Sequence, residues 1–219
     1  MTFSGTGAAK YPQRQPENGQ IKESAIAGVV TELACPEPAS FAQRLVEKGR
    51  SGGYAEAKPR RSALGLGSNI GDSQTILEAA IETLAQTPGI LLEAKSNWYQ
   101  TKAVGPPQPD YLNGCVTLQV EILPQQLLEI LLAIEQQFGR VRQERWGPRI
   151  LDLDLLLYDD LIVDTPNLQI PHPRMRDRAF VLVPLAEIAP DWIEPVSGCV
   201  IKELLKEVDC SDVHLWMGN

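Results

Sequence analysis

Between Leu151 and Tyr158 the chain reads Leu-Asp-Leu-Asp-Leu-Leu-Leu-Tyr. Its first half alternates acid and leucine with a period of two, which suits a strand and not a helix. In a strand Asp152 and Asp154 share one face, about 6–7 Å apart at Cα, and Leu151, Leu153 and Leu155 share the other. The apolar run continues through Leu157, so the strand is expected to be central in its sheet, where two unpaired carboxylates would be costly. One or two hard, oxygen-loving cations such as Mg²⁺ account for them best. Just upstream, Arg140, Arg142, Arg145 and Arg149 surround Trp146 and a Gly147-Pro148 turn. Arginines hold phosphate oxygens, often through two parallel hydrogen bonds. Metal carboxylates beside an arginine cluster are the equipment of phosphoryl transfer. The competing reading pairs Asp152 and Asp154 with Arg145 and Arg149 as ordinary ion pairs; the apolar setting and the density of arginines weigh against it.

The 219 residues allow one domain, or one domain with an appendage. Net charge is −8, whereas nucleic-acid binders carry a basic balance and a basic face. The basic residues cluster instead at Arg140–Arg149 and at Arg174, Arg176 and Arg178, which fits a small polyphosphate. The four cysteines are widely spaced and only two histidines exist, so structural zinc is not expected. Reduced thiols fit a cytoplasmic protein. No apolar run has the length of a membrane span, and the N-terminus lacks the design of a secretory signal. Glu17, Glu23, Glu32 and Glu37 argue against a transit peptide.

Residues 1–61 are rich in Gly, Pro, Gln and Glu, with no core of their own, and are expected to be a flexible extension. Order should begin at Ser62, with a strand through Gly67. A helix capped by Asp72 or Ser73 follows, its apolar face Ile76, Leu77, Ala80, Ile81 and Leu84. Thr87-Pro88-Gly89 stops it. A strand over Ile90–Tyr99, a proline-rich loop over Thr101–Asp110 and a strand over Tyr111–Ile122 come next. That loop is long enough to bind something. Leu123-Pro124 opens a second helix, which Gly139 ends. The acid-bearing strand follows. Beyond it the pattern gives a short strand at Leu161–Val163, an extended Leu168–Pro173, a helix over Met175–Ile188 and a last helix over Ile201–Val208. The order β-α-β-β-α-β predicts an α+β, ferredoxin-like fold: two helices on one face of a four-stranded antiparallel sheet, the other face left for loops and ligands.

Gly65-x-Gly67-xxx-Gly71 fails the spacing of a dinucleotide fingerprint and reads as a tight strand-to-helix turn. Asn69, at a strand end, is a better candidate to touch ligand. Tyr111, Asn113 and Phe180 are weak signals one by one, since an aromatic at a strand start usually belongs to a core. A flat heterocycle stacked between the aromatics and read by the amide would account for all three.

The segments GLGSNIGD, YQTKAVGPPQPDYLNGCV, FGRVRQERWGPRILDLDLLLYDD and IPHPRMRDRAFVLVPLAEIAPDW resemble the 6-hydroxymethyl-7,8-dihydropterin pyrophosphokinases of folate biosynthesis. The resemblance covers about Ala63 to Trp192. It implies transfer of diphosphate from the co-substrate ATP to the hydroxymethyl oxygen of a reduced pterin, with release of AMP. It also implies two Mg²⁺ ions at Asp152 and Asp154, Arg149 near the phosphates, and Arg140 and Arg142 on a loop that closes over both substrates. ATP would further meet His172, Arg178 and Glu135. The pterin would meet Tyr111, Asn113, Phe180, Thr101, backbone near Val104, and Trp146. Lys102-Ala103 stands where a Pro-Pro pair can occur, and both the loop that carries it and the arginine loop look a residue short, so loop contacts are less secure than the two acids.

Two rivals are a ferredoxin-like module that binds a small ligand without chemistry and an RNA-binding domain of the same topology. Paired acids on a strand have no use in the first. The second needs exposed aromatics on a basic sheet, against a leucine-rich strand and an acidic chain. The enzyme, a monomer acting on small molecules, is the expectation.

Overall fold

The strand that carries Asp152 and Asp154 forms as expected, and its leucines divide between two cores, Leu153 and Leu155 in one and Leu156 and Leu157 in the other. The computed structural model describes residues 58–103, 105–139 and 147–218. Most of the expected extension, and with it Val104, Arg140, Arg142, Arg145 and Trp146, lies outside the described residues.

In chain order the elements are β1 (Arg60–Ser68), α1 (Ser73–Ala85), β2 (Ile90–Lys95), β3 (Tyr99–Thr101), β4 (Tyr111–Val120), α2 (Pro124–Gln137), β5 (Asp152–Tyr158), β6 (Val163–Asp164), β7 (Gln169–Ile170), α3 (Ala179–Ile188), α4 (Ile201–Leu204) and β8 (Val213–Leu215). The main sheet is antiparallel in the order β5-β1-β4-β3-β8, with β2 beside the far half of β4. This is the expected α+β arrangement, with six strands rather than four.

Helices α1 and α2 cover one face. Leu77 and Leu84 of α1, Leu127 and Leu131 of α2, and Leu64 and Leu118 of the sheet are all fully buried there. Each such leucine contributes about 1.5–3 kcal/mol. The other face is not left bare. Helix α3 packs over half of it through Val181, Leu182 and Leu185, against Ala63, Cys115, Leu156 and Leu157. Among the described residues, the end bearing Gly65, Gly67, Asn113, Asp152 and Asp154 lines an open cavity.

Several sequence expectations need correction. Strand β5 is not central: within the sheet it pairs with β1 alone. Its leucines are apolar on both faces because both faces are covered, while its outer edge is closed by other groups. Leu153 N–H donates to Glu135 Oε1 at 2.8 Å, and His172 N–H donates to Leu156 O at 2.9 Å. Ile90–Tyr99 is two strands, because Ser96 Oγ takes the Cys115 N–H in place of a ladder bond. The Trp98 ring then fills the space over Gly114, where a Cβ would lie 2.5 Å from it. Met175–Ile188 is a 3₁₀ turn, Met175–Asp177, followed by α3. The short strand expected at Leu161–Val163 is Val163–Asp164. Strand β8 escapes the sequence pattern altogether, and β1 begins at Arg60, two residues earlier than expected.

Asp72 caps α1 as predicted, accepting from Thr75 N at 3.1 Å and Thr75 Oγ1 at 2.8 Å. These bonds, the backbone one first, hold its carboxyl below its usual pKa. Asp72→Ala should therefore cost about 1 kcal/mol at neutral pH. A depressed folded-state pKa stabilises fully above the unfolded value, near 4, and the gain is lost as pH falls through the lower folded value. Urea titrations at pH 7 and below pH 3 check this: the difference between Asp72→Ala and the unaltered chain should be present in the first and absent in the second.

Candidate active site

The register of three strands builds the site. Gly67 of β1 faces Asp152 of β5 on one side and Asn113 of β4 on the other; Gly65 faces Asp154 and Cys115 in the same way. A row Asp152–Gly67–Asn113 thus crosses the sheet on one face, with no side chain in its middle. Two interstrand spacings separate its ends, about 10 Å. Gly67 has no room for more: a Cβ there would lie 3.0 Å from Asn113 Oδ1. A bulge holds this pattern. Ala63 pairs with Leu157 and Leu64 with Leu155, so Leu156 is an extra residue in β5. Below the bulge Leu156 and Leu157 point at α3; above it the same face carries the acids.

Over this row lies a cavity of about 640 Å³, within the usual range for small-molecule sites. Thr101, Lys102, Tyr111, Asn113 and Phe180 line one part of it. Arg149, Asp152, Asp154, His172, Arg174 and Arg178 line the rest. Asn113 is almost fully buried and donates from Nδ2 to Thr101 Oγ1 at 2.7 Å. Its Oδ1 lies toward Gly67, on the cavity side. Tyr111 and Phe180 are half-buried beside it, and the Arg178 guanidinium sits 5.4 Å from the Phe180 ring centre.

The acids have counter-ions within the chain. Arg149 Nη1 pairs with Asp152 Oδ1, and Arg178 Nη1 lies 3.5 Å from Asp154 Oδ2. Arg149 thus forms the ion pair of the competing reading with Asp152. Burial, then the charge of Asp152, raises the pKa of Asp154, while His172, Arg178 and Arg149 oppose the shift. Burial lowers the pKa of His172 despite Asp154. Its Nδ1 accepts the Arg174 N–H at 3.2 Å, so the neutral ring carries its proton on Nε2, which lies 3.8 Å from Asp154 Oδ2. The imidazole therefore presents a donor to the cavity. Among the described residues no three His, Cys, Asp or Glu side chains group as a metal site. The two carboxylates nevertheless suit a hard divalent cation: they are oxygen donors on one face, and their mutual repulsion is what such a cation relieves.

Two expected ligands have other work. Glu135 is fully buried and holds the edge of β5, away from the cavity lining. Asn69, 4% exposed, ties three segments together. Its Nδ2 donates to Gln108 Oε1 at 3.0 Å and Pro109 O at 2.9 Å; its Oδ1 accepts Arg149 N–H at 2.7 Å; its own N–H donates to Arg149 O at 3.0 Å. It clamps Arg149 and the proline-rich loop rather than lining the cavity. The sequence reading missed Lys102, Arg174 and Asp177 as cavity residues; the second arginine cluster was the available signal for Arg174.

Fold and site together describe an α+β domain with a cleft lined by carboxylates, arginines and an imidazole. The sequence model of the 7,8-dihydro-6-hydroxymethylpterin pyrophosphokinases (HPPK) matches residues 63–190, and the chain belongs to that family. The expected ATP-dependent diphosphotransferase of folate biosynthesis stands with it. The chain is 57% identical over 152 residues to the 2-amino-4-hydroxy-6-hydroxymethyldihydropteridine pyrophosphokinase of Synechocystis sp., covering 69% of this chain and 78% of the relative. It is 47% identical over 155 residues to the enzyme of the same name from Methylorubrum extorquens, covering 70% and 97%. The fold is also that of Plasmodium falciparum HPPK-DHPS, with a TM-score of 0.56 at 14% identity over 70% of this chain; this chain spans 45% of that one.

Asn69→Ala should release Arg149 and the loop together. Loss of these buried hydrogen bonds should lower stability by about 1–3 kcal/mol. Displacing Arg149 by about 1 Å should slow turnover by about 10²-fold. Denaturant titration and steady-state assay of the variant check both.

Proposed function

We propose that the chain transfers the terminal diphosphoryl group of ATP to the hydroxymethyl oxygen of 6-hydroxymethyl-7,8-dihydropterin, releasing AMP. The observation that carries this is the row Asp152–Gly67–Asn113: a carboxylate pair with its cations' chemistry at one end, an amide beside two aromatics at the other, and open floor between. The pterin lies at the Asn113 end, its ring between Tyr111 and Phe180 and its polar edge on Asn113 and Thr101. Val104 backbone and Trp146 complete that half. The triphosphate lies at the other end, where Arg149, His172 and Arg178 meet it, with Arg142 from the arginine loop. Arg140 on that loop closes over both.

Asp152 and Asp154 would hold two Mg²⁺, which would supply neutralisation of the phosphate charge. Arg149 and Arg178, each beside one of these acids, present guanidinium donors to the phosphate oxygens. The neutral His172 donates from Nε2 to the same oxygens. Thr101 and Asn113 orient the pterin so that its hydroxyl oxygen faces the β-phosphorus in line with the departing oxygen. The new bond joins the pterin oxygen to the β-phosphorus; the bond from that phosphorus to the bridging oxygen of the α-phosphate breaks, AMP leaves, and one proton is released. The arginine loop excludes water so that the diphosphoryl group passes to the pterin. Action as a cytoplasmic monomer belongs to the same proposal; among the described residues no helix is long and apolar enough to cross a membrane.

Incubation with ATP, Mg²⁺ and the dihydropterin should yield AMP and the pterin diphosphate in equal amounts. ADP as the nucleotide product would overturn the reading. Asp152→Ala or Asp154→Ala should lower turnover by at least about 10³-fold, as removal of preorganised charge does, with little change in the ligand-free melting temperature. A large fall in melting temperature with activity retained would make the acids structural ion pairs instead, since stranding a buried partner costs about 3–5 kcal/mol.

A further inference from the structure

Strand β8, Val213–Leu215, lies beyond the residues matched to the family and lines none of the cavity. It nevertheless closes the sheet on the side where the pterin is proposed to bind. β3 is three residues long, with β4 on one edge in the pairs Tyr99–Asn113, Gln100–Leu112 and Thr101–Tyr111. Its other edge is taken by β8 in the pairs Tyr99–Leu215, Gln100–His214 and Thr101–Val213. A three-residue strand at a bare edge is marginal, and β8 removes that edge.

Trp216 N–H donates to Trp98 O at 2.8 Å, carrying the β3–β8 pairing one residue further. Away from β3, the Trp216 ring packs against the helix-side core and its Nε1 donates to Gln74 Oε1 at 3.4 Å. The turn before β8 is closed by Val213 N–H on Cys210 O at 3.0 Å. On the cavity side, Thr101 Oγ1 accepts from Asn113 Nδ2, and Gln100 Nε2 donates to Asp110 Oδ2 at 3.0 Å, closing the base of the proline-rich loop. Lys102, which lines the cavity, pairs at 3.1 Å with Asp212, the residue that leads into β8.

We infer that β8 is a positioning element for the pterin half of the site: it fixes β3, and through β3 the Thr101 hydroxyl, the Asn113 amide it receives and the start of the loop at Lys102. The inference rests on the proposed placement of the pterin. A strand that only stabilised the domain would affect both substrates alike. A strand that positions Thr101 and Asn113 affects one, because Arg149, Asp152, Asp154 and His172 stand on β5 and its flanks, across β1 and β4 from β3.

The full chain with His214→Pro tests it, since proline has no N–H for a strand ladder. The KM for the dihydropterin should rise about tenfold and kcat should fall as the hydroxyl oxygen loses its alignment, while the KM for ATP should stay within about twofold. Hydrogen exchange on the unaltered protein is the second measurement, free of any folding defect: the dihydropterin with a non-hydrolysable ATP analogue should slow exchange at Val213–Trp216, and the analogue alone should not. A pterin KM within twofold of the unaltered chain, or both KM values rising together, overturns the inference, as does exchange at Val213–Trp216 indifferent to pterin. The unaltered chain run in parallel separates the two proposals: if it makes no AMP, the functional reading fails; if it does and the outcomes above are negative, only the role of β8 falls.

Discussion

The site depends on two positions that have no side chain. Gly65 and Gly67 put bare backbone between the carboxylates of β5 and the amide of β4. Any Cβ at Gly67 would meet Asn113 Oδ1 at 3.0 Å, so the amide would have to yield its position. The same sheet that elsewhere packs leucine on leucine thus leaves a trough one strand wide. It is flanked by an acid end and an end with an amide beside two aromatics, at a separation that hydrogen-bonding geometry fixes at about 10 Å. A substrate laid in that trough is positioned by strand spacing, which is among the stiffest dimensions a protein has.

Charge governs the acid end. Two carboxylates share one strand face, and burial, then the charge of Asp152, raises the pKa of Asp154. Arg149 and Arg178 compensate without closing the site. Both are tethered at the cavity rim, Arg149 through the backbone bonds to Asn69 and Arg178 at the start of α3. These counter-charges hold the acids in place, the preorganisation that charge stabilisation requires.

The alternation in Leu151–Leu155 was legible because one face of β5 is a core and the other a site; the two faces demand different residue types at period two. The edge position of β5 was not legible. Apolar residues report burial of faces, whereas edge or centre is decided by backbone partners, here Glu135 and the His172 N–H, which lie far from β5 in kind or sequence. Glu135 itself shows the same limit: a carboxylate on a helix looks like a ligand until its strand edge is known. Strand β8 went unseen because Val213-His214-Leu215 is short and largely exposed, so it carries no periodic signal. Asn69 was singled out as a loop amide that should touch something. That it touches Arg149, the Gln108 side chain and the Pro109 carbonyl follows from where three distant segments converge.

The division of labour between the two faces explains why so demanding a site is tolerated. The helix-side core runs from Leu64 and Leu118 to α1 and α2 with no polar requirement. A second, smaller core under α3 stops at Leu156, where the bulge turns the strand. Stability is thus drawn mainly from residues away from the cavity, although Leu66 and Val181 belong to the cores and line it as well. The cost of like charges and an empty trough is confined to one end of one face. It can be borne there because domain stability, a small difference between large opposing contributions, is set elsewhere. Substitutions at the acids or the trough should therefore separate activity from folding, while substitutions at Leu156, which underlies Gly65 and borders both, should not.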